Sequence, residues 1–183
     1  RGPSRRSPGH CYPEEAGAVL WRTFGRIRGY VSGLPLGGAL VGLDPGTKTI
    51  CVAVSDGLRM TATSLETIRR TKFTKDAARL HDIATGRNIV GAVIGLPRNM
   101  DGSEGPRAQS VRAFARNVAE HLGLPVALWD ERLTTVAAER TLLEADMSRK
   151  RRAEVIDAVA AQVILQGALD RPAVIARGSG WAS

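Results

Sequence analysis

The stretch ALVGLDPGTKTICVAVS, residues 39–55, holds two apolar runs separated by a short polar connection. The first run ends at Asp44, and the second, Thr49–Ser55, is rich in the β-branched residues that favour strands. The residues between the runs, Pro45–Lys48, suit a tight turn. The stretch therefore predicts a β-hairpin whose first strand ends on a carboxylate.

Downstream of this hairpin, helix and strand patterns alternate. A weaker strand over Thr61–Ile68 precedes a helix for which Thr74 is the expected N-cap. The most apolar run, residues 89–96, predicts a central strand. The remaining predicted elements are a helix over about 106–121, a strand over 125–129, a helix from Thr134 or Thr135 to about 144, and a last helix over about 153–169. This order predicts an α/β fold with a mixed five-stranded sheet flanked by helices.

Composition divides the 183 residues into three zones. Residues 1–38 are rich in Gly, Pro, Ser and Arg and show no apolar period, which predicts a disordered N-terminal extension. Residues 39–170 carry the pattern of a single domain, and residues 171–183 are expected to form a flexible C-terminal tail. Any chemistry is therefore expected within residues 39–170.

The formal net charge of +8 is only a modest sign of phosphate-bearing partners, because most of it belongs to the two terminal zones. No apolar run reaches the roughly 18 residues that a membrane-spanning helix needs. The two cysteines, Cys11 and Cys51, have no zinc-binding spacing and are typical of a reduced protein. We therefore expect a cytoplasmic protein with no membrane partner.

Acidic residues stand at the ends of predicted strands and on the last predicted helix. Asp44 ends the first strand, and Asp130 and Glu131 end the last. Asp157 lies on the last helix among Ala, Ile and Val residues, where a carboxylate needs a partner. Carboxylates that converge at strand ends suit Mg²⁺ or Mn²⁺, and two such ions about 3.5–4 Å apart can hydrolyse phosphodiesters. Each carboxylate also has a plainer explanation, namely a capped turn at Asp44, a local ion pair at Asp130–Arg132, and pairing of Asp157 with a nearby arginine.

Four blocks of sequence tie these carboxylates together. They are GLDPGTKTI with VAVSD (residues 42–50 and 52–56), VIGLPRNMDGSE (93–104), LWDERLTT (128–135), and IDAVAA with IL (156–161 and 164–165). In this order and spacing the blocks resemble the YqgF family, also called RuvX-like. The resemblance covers residues 39–170 and implies a ribonuclease-H-like fold with divalent-metal catalysis.

The resemblance also implies which residues carry the chemistry. The family's acidic triad falls on Asp44, Glu131 and Asp157, which would hold Mg²⁺ or Mn²⁺. By position and donor chemistry, we expect further residues to contact the substrate: Thr47, Lys48, Asn99, Arg132, Thr134, Arg149, Lys150 and Arg151. The last three belong to a basic run that either contacts the nucleic-acid backbone or is simply solvated. Cys51 stands where the family usually has glycine, and we expect that difference to affect packing rather than activity.

Two substrates and one non-enzymatic function are compatible with these residues. Members of the family are described as nucleases of pre-16S rRNA and as resolvases of Holliday junctions. The first substrate is therefore structured RNA, cut at the 5′ end of pre-16S rRNA by a monomer or homodimer. The second is four-way DNA, for which a resolvase needs two active sites and hence a homodimer. A non-catalytic nucleic-acid-binding scaffold is the third hypothesis, and the three occupied acidic positions argue against it.

Overall fold

The computed structural model describes Arg22–Thr23, residue 31, residues 33–133 and residues 159–170. Its elements are β1 (Arg22–Thr23), β2 (Ala39–Pro45), β3 (Thr49–Ser55), β4 (Ala62–Arg69), α1 (Phe73–Gly86), β5 (Ile89–Leu96), α2 (Pro106–Leu122), β6 (Val126–Asp130), a 3-10 turn over Glu131–Leu133, and α3, helical over residues 159–170. Among these described helices, none has both the length and the hydropathy to cross a membrane.

A single mixed sheet, in the order β1-β6-β5-β2-β3-β4, forms the centre of the domain. The pairs β1–β6, β6–β5 and β5–β2 are parallel, whereas β2–β3 and β3–β4 are antiparallel. The predicted α/β fold with a mixed sheet and flanking helices is confirmed. The five predicted strands correspond to β2–β6, and the two-residue strand β1 extends the sheet beyond β6.

Side chains that alternate along the strands pack into two apolar layers, one on each face of the sheet. The layer that includes Leu43 and Ile94 lies under α1 and α2. The opposite layer includes Leu40, Val93 and the residues of α3. Because Asp44 follows Leu43 in β2, its side chain belongs to the face that α3 covers.

The last helix lies directly on glycines of the two central strands. A Cβ at Gly42 in β2 would lie 2.7 Å from Leu165 Cβ and 2.9 Å from the carbonyl oxygen of Ala161. A Cβ at Gly95 in β5 would lie 2.5 Å from Ile164 Cδ1. Since real Cβ atoms do not approach so closely, glycine at these two positions lets α3 contact the sheet backbone.

The helix α1 begins at Phe73, before the start that a Thr74 cap implies, so the predicted N-cap was wrong. Lys72 occupies the N-cap position, and its side chain makes no capping hydrogen bond. Asp76 in the first turn instead accepts hydrogen bonds from the Thr71 backbone N–H at 3.3 Å and from the Thr71 hydroxyl at 3.4 Å. This local link holds the chain before the helix and removes the need for a cap at Thr74.

The described residues just before β2 contact the domain. Leu34 is buried in the layer that contains α3, and the Arg59 guanidinium donates a hydrogen bond to the Val31 carbonyl oxygen at 2.7 Å. Most of the predicted extension, residues 1–38, lies outside the described residues, and so does the whole predicted tail, residues 171–183. These domain boundaries therefore stay predictions.

Candidate functional site

Three parallel strands end together at one edge of the sheet. Leu43 in β2 lies opposite Ile94 in β5, and Leu96 at the end of β5 lies opposite Asp130 at the end of β6. Asp44 follows Leu43 at this edge, and Glu131 follows Asp130 in the 3-10 turn. The structure therefore brings Asp44 and Glu131, which are far apart in sequence, to the same side of the sheet.

The carboxylate of Glu131 lies over β5 and interacts electrostatically with the carboxylate of Asp44. A Cβ at Gly95 would lie 2.9 Å from Glu131 Oε1, so the missing side chain leaves room for this carboxylate. Burial raises the pKa of Glu131, and the negative charges of Asp44 and Asp130 raise it further. The positive charge of Arg107, at the start of α2, acts in the opposite direction. Two carboxylates that repel each other in a partly buried site are what a bound cation stabilises.

The neighbouring carboxylate, Asp130, has a different environment. It is almost fully buried, and Arg132 donates to it from Nε at 3.0 Å, from Nη2 at 2.7 Å and from its backbone N–H at 3.0 Å. Burial acts to raise the pKa of Asp130, but the hydrogen bonds and charge of Arg132, with the charge of Arg98, outweigh burial and lower it. The local ion pair considered from the sequence is thus present. The predicted contact of Arg132 with substrate stays a prediction.

The loop between β5 and α2 is fixed by charged and polar contacts at its base and tip. Glu104 accepts hydrogen bonds from Arg112 Nε and Nη2, both at 2.6 Å, and from Arg98 Nη2 at 3.0 Å. These contacts, Arg112 first, lower the pKa of Glu104 to about 2 although burial opposes them. At the tip, Asn99 Nδ2 donates to Ser103 Oγ at 2.9 Å, so its amide already has an internal partner. The loop that carries Asn99 is therefore preorganised beside the strand ends.

Thr47 and Lys48 lie exposed at the tip of the β2–β3 hairpin, next to Asp44 in sequence. The Gly46 N–H donates to the Thr49 carbonyl oxygen at 2.8 Å and closes the turn. Arg70, just after β4, fixes this turn twice, because its backbone N–H donates to the Lys48 carbonyl oxygen at 2.8 Å and its Nη1 donates to the Gly46 carbonyl oxygen at 2.6 Å. The hairpin tip is therefore held in place beside the carboxylates.

Five of the residues expected at the site lie outside the described residues: Asp157, Thr134, Arg149, Lys150 and Arg151. Within the ranges that are described, no group of three acidic, histidine or cysteine side chains is arranged to hold a metal ion. Asp44 and Glu131, two carboxylates of the expected triad, lie at this edge, and the assignment of all three as metal ligands stays a prediction.

Two arginines near this edge were not identified from the sequence. Arg70 holds the hairpin tip, and the charge of Arg107 opposes the rise in the pKa of Glu131. Nothing in the local pattern distinguishes Arg70 from other residues at a strand end. For Arg107 a signal existed, because it stands in the first turn of the helix that follows the Pro97–Gly105 loop.

Comparison with known proteins gives a consistent result along most of the chain. A family model described as RuvX, Holliday junction resolvase, matches residues 38–171. A protein of Cereibacter sphaeroides named "Putative pre-16S rRNA nuclease" is 71% identical over 146 residues, which cover 80% of this chain and 91% of the relative. A protein of Paracoccus denitrificans with the same name is 67% identical over 145 residues, covering 79% of this chain and 92% of the relative.

Among solved structures, RuvC of T. thermophilus in complex with a Holliday junction substrate is similar in fold. Its TM-score is 0.52 at 14% sequence identity, with 78% of this chain and 97% of that chain covered. At this identity the likeness concerns the fold alone, and it confirms the ribonuclease-H-like architecture expected from the sequence.

Proposed function

Since this chain belongs to the RuvX family, we propose that it is a divalent-metal-dependent endonuclease that cuts the 5′ end of pre-16S rRNA in the cytoplasm. The observation that carries the proposal is the meeting of Asp44 and Glu131 at the ends of β2 and β6, where the charge of Asp44 raises the pKa of Glu131. The names of the most similar relatives support the choice of RNA substrate.

The residues at this edge fit a hard divalent cation. Asp44 and Glu131 offer only oxygen atoms, which Mg²⁺ and Mn²⁺ prefer. Their mutual repulsion is relieved when a positive charge lies between them. Asp157 lies outside the described residues and is the proposed third ligand, because the helix predicted from the sequence over about 153–169 would place it on the same face as Ala161, four residues later. Ala161 packs on Gly42, two residues from Asp44 in β2.

Bound divalent ions would supply an activated water and stabilise the charge that develops at the phosphorus. The protein's own residues position the substrate for that chemistry. Lys48 and Thr47, on a hairpin tip that Arg70 fixes, offer a positive charge and a hydroxyl donor to a phosphate held near Asp44. Because this tip is fixed before binding, little ordering entropy is lost when substrate arrives.

The other residues expected at the substrate have different roles in this proposal. Arg132 already binds Asp130, so we propose that it acts mainly by holding the loop between β5 and α2. Its Nη1 donates to the Met100 carbonyl oxygen of that loop at 3.5 Å. Asn99 is proposed to contact the sugar–phosphate backbone from the same loop. Thr134 and the basic residues Arg149, Lys150 and Arg151 are proposed to contact phosphates that flank the cut.

A cleavage assay tests the proposal directly. Full-length protein is mixed with precursor rRNA that carries a labelled 5′ leader, with Mg²⁺, Mn²⁺ or EDTA. We expect cleavage only with the metals, and a loss of at least about 100-fold in Asp44→Asn because charge stabilisation at the reacting centre is lost. Thermal unfolding gives a second readout: Mn²⁺ raises the Tm of the wild type but not of Asp44→Asn. Cleavage that survives in EDTA or in Asp44→Asn contradicts the proposal.

A second candidate is resolution of four-way DNA, which the description of the matching family favours. It requires a homodimer with two sites facing two strands. A synthetic four-way junction in the same assay, with the mass of the protein measured at micromolar concentration, separates the two candidates. Symmetric nicking of the junction by a dimer, with no cut in precursor rRNA, replaces the RNA assignment with this one.

A further inference from the structure

A cluster of exposed basic residues lies beside the site, on the side of β4 and α1, and the proposed function does not use most of it. We define the basic edge as Lys48, Arg69, Lys72 and Lys75, all exposed. Arg69 lies opposite Thr49, the residue after Lys48, in the β3–β4 pairing. Lys72 is the N-cap of α1, and Lys75 stands in its first turn. The four cations therefore continue from the hairpin tip around the end of the sheet.

Neighbouring acidic side chains do not neutralise the basic edge. In the part of the chain that the structure describes, none of its four residues forms a salt bridge. Glu66 on β4 pairs with Arg79 at 2.6 Å, and Asp76 is buried and bonded to Thr71. The positive charge of the edge is thus available to a partner.

The chemistry of the edge favours a duplex over a single strand. Proteins that bind single strands combine basic grooves with exposed aromatic rings on which bases stack. The aromatic side chain in this segment, Phe73, packs edge-on against Phe114 at 6.1 Å between ring centroids and against His121 at 5.0 Å. The exposed side chains of this segment are cations and the hydroxyls of Thr71 and Thr74. Both kinds of group contact phosphates, as in recognition of a double helix by its backbone.

We propose that the basic edge binds the phosphodiester backbone of a duplex arm of the nucleic-acid substrate, a few nucleotides from the cut. The inference rests on the proposed function for the position of the cut. Arg69 lies two strands from Asp44 and two residues further along, on the same face of the sheet. With strands about 4.8 Å apart, this corresponds to roughly 12 Å. For a duplex whose axis runs in this direction, with a rise of about 3.4 Å per nucleotide, the contacted phosphates lie roughly three to four nucleotides from the scissile one.

Binding measured without cleavage tests the inference. Full-length protein in EDTA is titrated into labelled RNA and DNA duplexes of about 20 base pairs and into the matching single strands, over about 50–200 mM salt. The test variant is Arg69→Gln/Lys72→Gln. Its matched control is Arg87→Gln/Arg116→Gln, which removes two exposed arginines from the far end of α1 and the middle of α2.

We expect the test variant to bind duplexes roughly 10- to 100-fold more weakly at about 100 mM salt, with a salt slope reduced by about two, while the control stays near wild type. Adding Lys75→Gln reduces the slope by about one more. Comparison of the RNA and DNA duplexes shows which backbone the edge prefers. An unchanged slope in the test variant, an equal loss in the control, or a loss confined to single strands overturns the inference.

The binding experiment and the cleavage assay can fail separately. If wild-type protein binds duplexes through the edge but cuts nothing with Mg²⁺ or Mn²⁺, only the proposed function fails. If it cuts precursor rRNA and the test variant binds duplexes as tightly as wild type, only the inference about the edge fails. A protein that binds no nucleic acid contradicts both.

Discussion

Two pairs of carboxylates lie at the same edge of the sheet in contrasting environments. Asp130 and Glu104 are each bound by arginine, and the pKa of each is lowered. Among the described residues, no salt bridge joins Glu131 to an arginine, and burial and the charge of Asp44 raise its pKa. The first pair fixes the chain around the strand ends. The second pair concentrates negative charge where a cation can bind.

The contrast teaches how adjacent acidic residues come to have different roles. Asp130 and Glu131 are neighbours in sequence, yet Asp130 is buried in β6 and Glu131 stands in the turn over Gly95. Arg132 neutralises the charge of Asp130, so the charge of Glu131 is the one that remains for a bound cation. A buried carboxylate paired with arginine is neutralised within the fold, whereas the proposed metal ligands Asp44 and Glu131 would need a bound cation to neutralise them.

The sharpest test of this contrast compares Glu131→Gln with Glu104→Gln, because each replaces one carboxylate with its amide. We expect Glu131→Gln to lower the rate of precursor cleavage by at least about 100-fold without lowering the free energy of unfolding in EDTA. Glu104→Gln should keep most of the cleavage activity and lose stability, since Arg98 and Arg112 lose their anionic partner. Single-turnover cleavage and urea unfolding measure the two effects. The reverse pattern would show that the roles are misassigned.

The Asp130–Arg132 pair gives the next largest effect. Arg132→Gln leaves the Asp130 carboxylate buried without its guanidinium partner, so we expect a clear fall in Tm and weaker substrate binding from a loosened loop. Asp130→Asn/Arg132→Gln removes both charges and should recover much of the Tm. Circular dichroism melting follows stability, and KM and kcat are measured separately. A double variant as unstable as Arg132→Gln would contradict a role for this pair in neutralising buried charge.

Alanine substitutions at the two glycines under α3 test packing and catalysis separately. An added methyl group in a tightly packed site costs about 1–3 kcal/mol of unfolding free energy. Gly42→Ala meets a Cβ and a backbone oxygen of α3, which cannot rotate away, so it should lower the free energy of unfolding by that amount. Gly95→Ala meets the flexible ends of Ile164 and Glu131, so it should cost less stability and more activity. Unfolding and cleavage measured for both variants test the difference. Equal losses in both quantities would remove the distinction.

The smallest effect is a pH dependence from Glu104. Its pKa is about 2 in the folded protein against 4.5 as its usual value, so the unfolded chain binds more protons between these limits. The stabilisation is fully present above about pH 4.5 and is lost as the pH falls towards 2. After allowance for solvent screening it amounts to about 1–2 kcal/mol. The difference in unfolding free energy between wild type and Glu104→Gln should therefore shrink from pH 6 to pH 3. A constant difference would contradict the assignment.

Much of the fold was predictable because its signals are local. The strands from Ala39 to Ser55 and the apolar run of β5 follow from apolar content and β-branched residues, and the element order then predicts the mixed sheet. The acidic positions Asp44 and Glu131 were recognisable from the motif blocks, and parallel strand ends explain why they meet. The start of α1 was misjudged because the contact between Asp76 and Thr71 is not visible in a capping pattern.

The electrostatic details of the site were not predictable from spacing. The Asp130–Arg132 ion pair was one of the alternatives considered from the sequence, and the structure contains it, but spacing alone did not select it. Contact of Arg132 with substrate stays a prediction. Arg70 reaches the hairpin tip across β3, and its guanidinium also lies 5.6 Å from the centroid of the Phe114 ring, a contact between elements distant in sequence. Such contacts depend on the tertiary arrangement rather than on any local pattern.

The seating of α3 on Gly42 and Gly95 has a consequence for the order of events during synthesis. Asp44 belongs to β2, which emerges from the ribosome well before α3, the last described helix. The face of the sheet that carries Asp44 gains the contacts of that helix only after it has been made and has docked on the two glycines. A chain that stops before residue 159 would therefore lack the buried side chains that α3 adds to this apolar face.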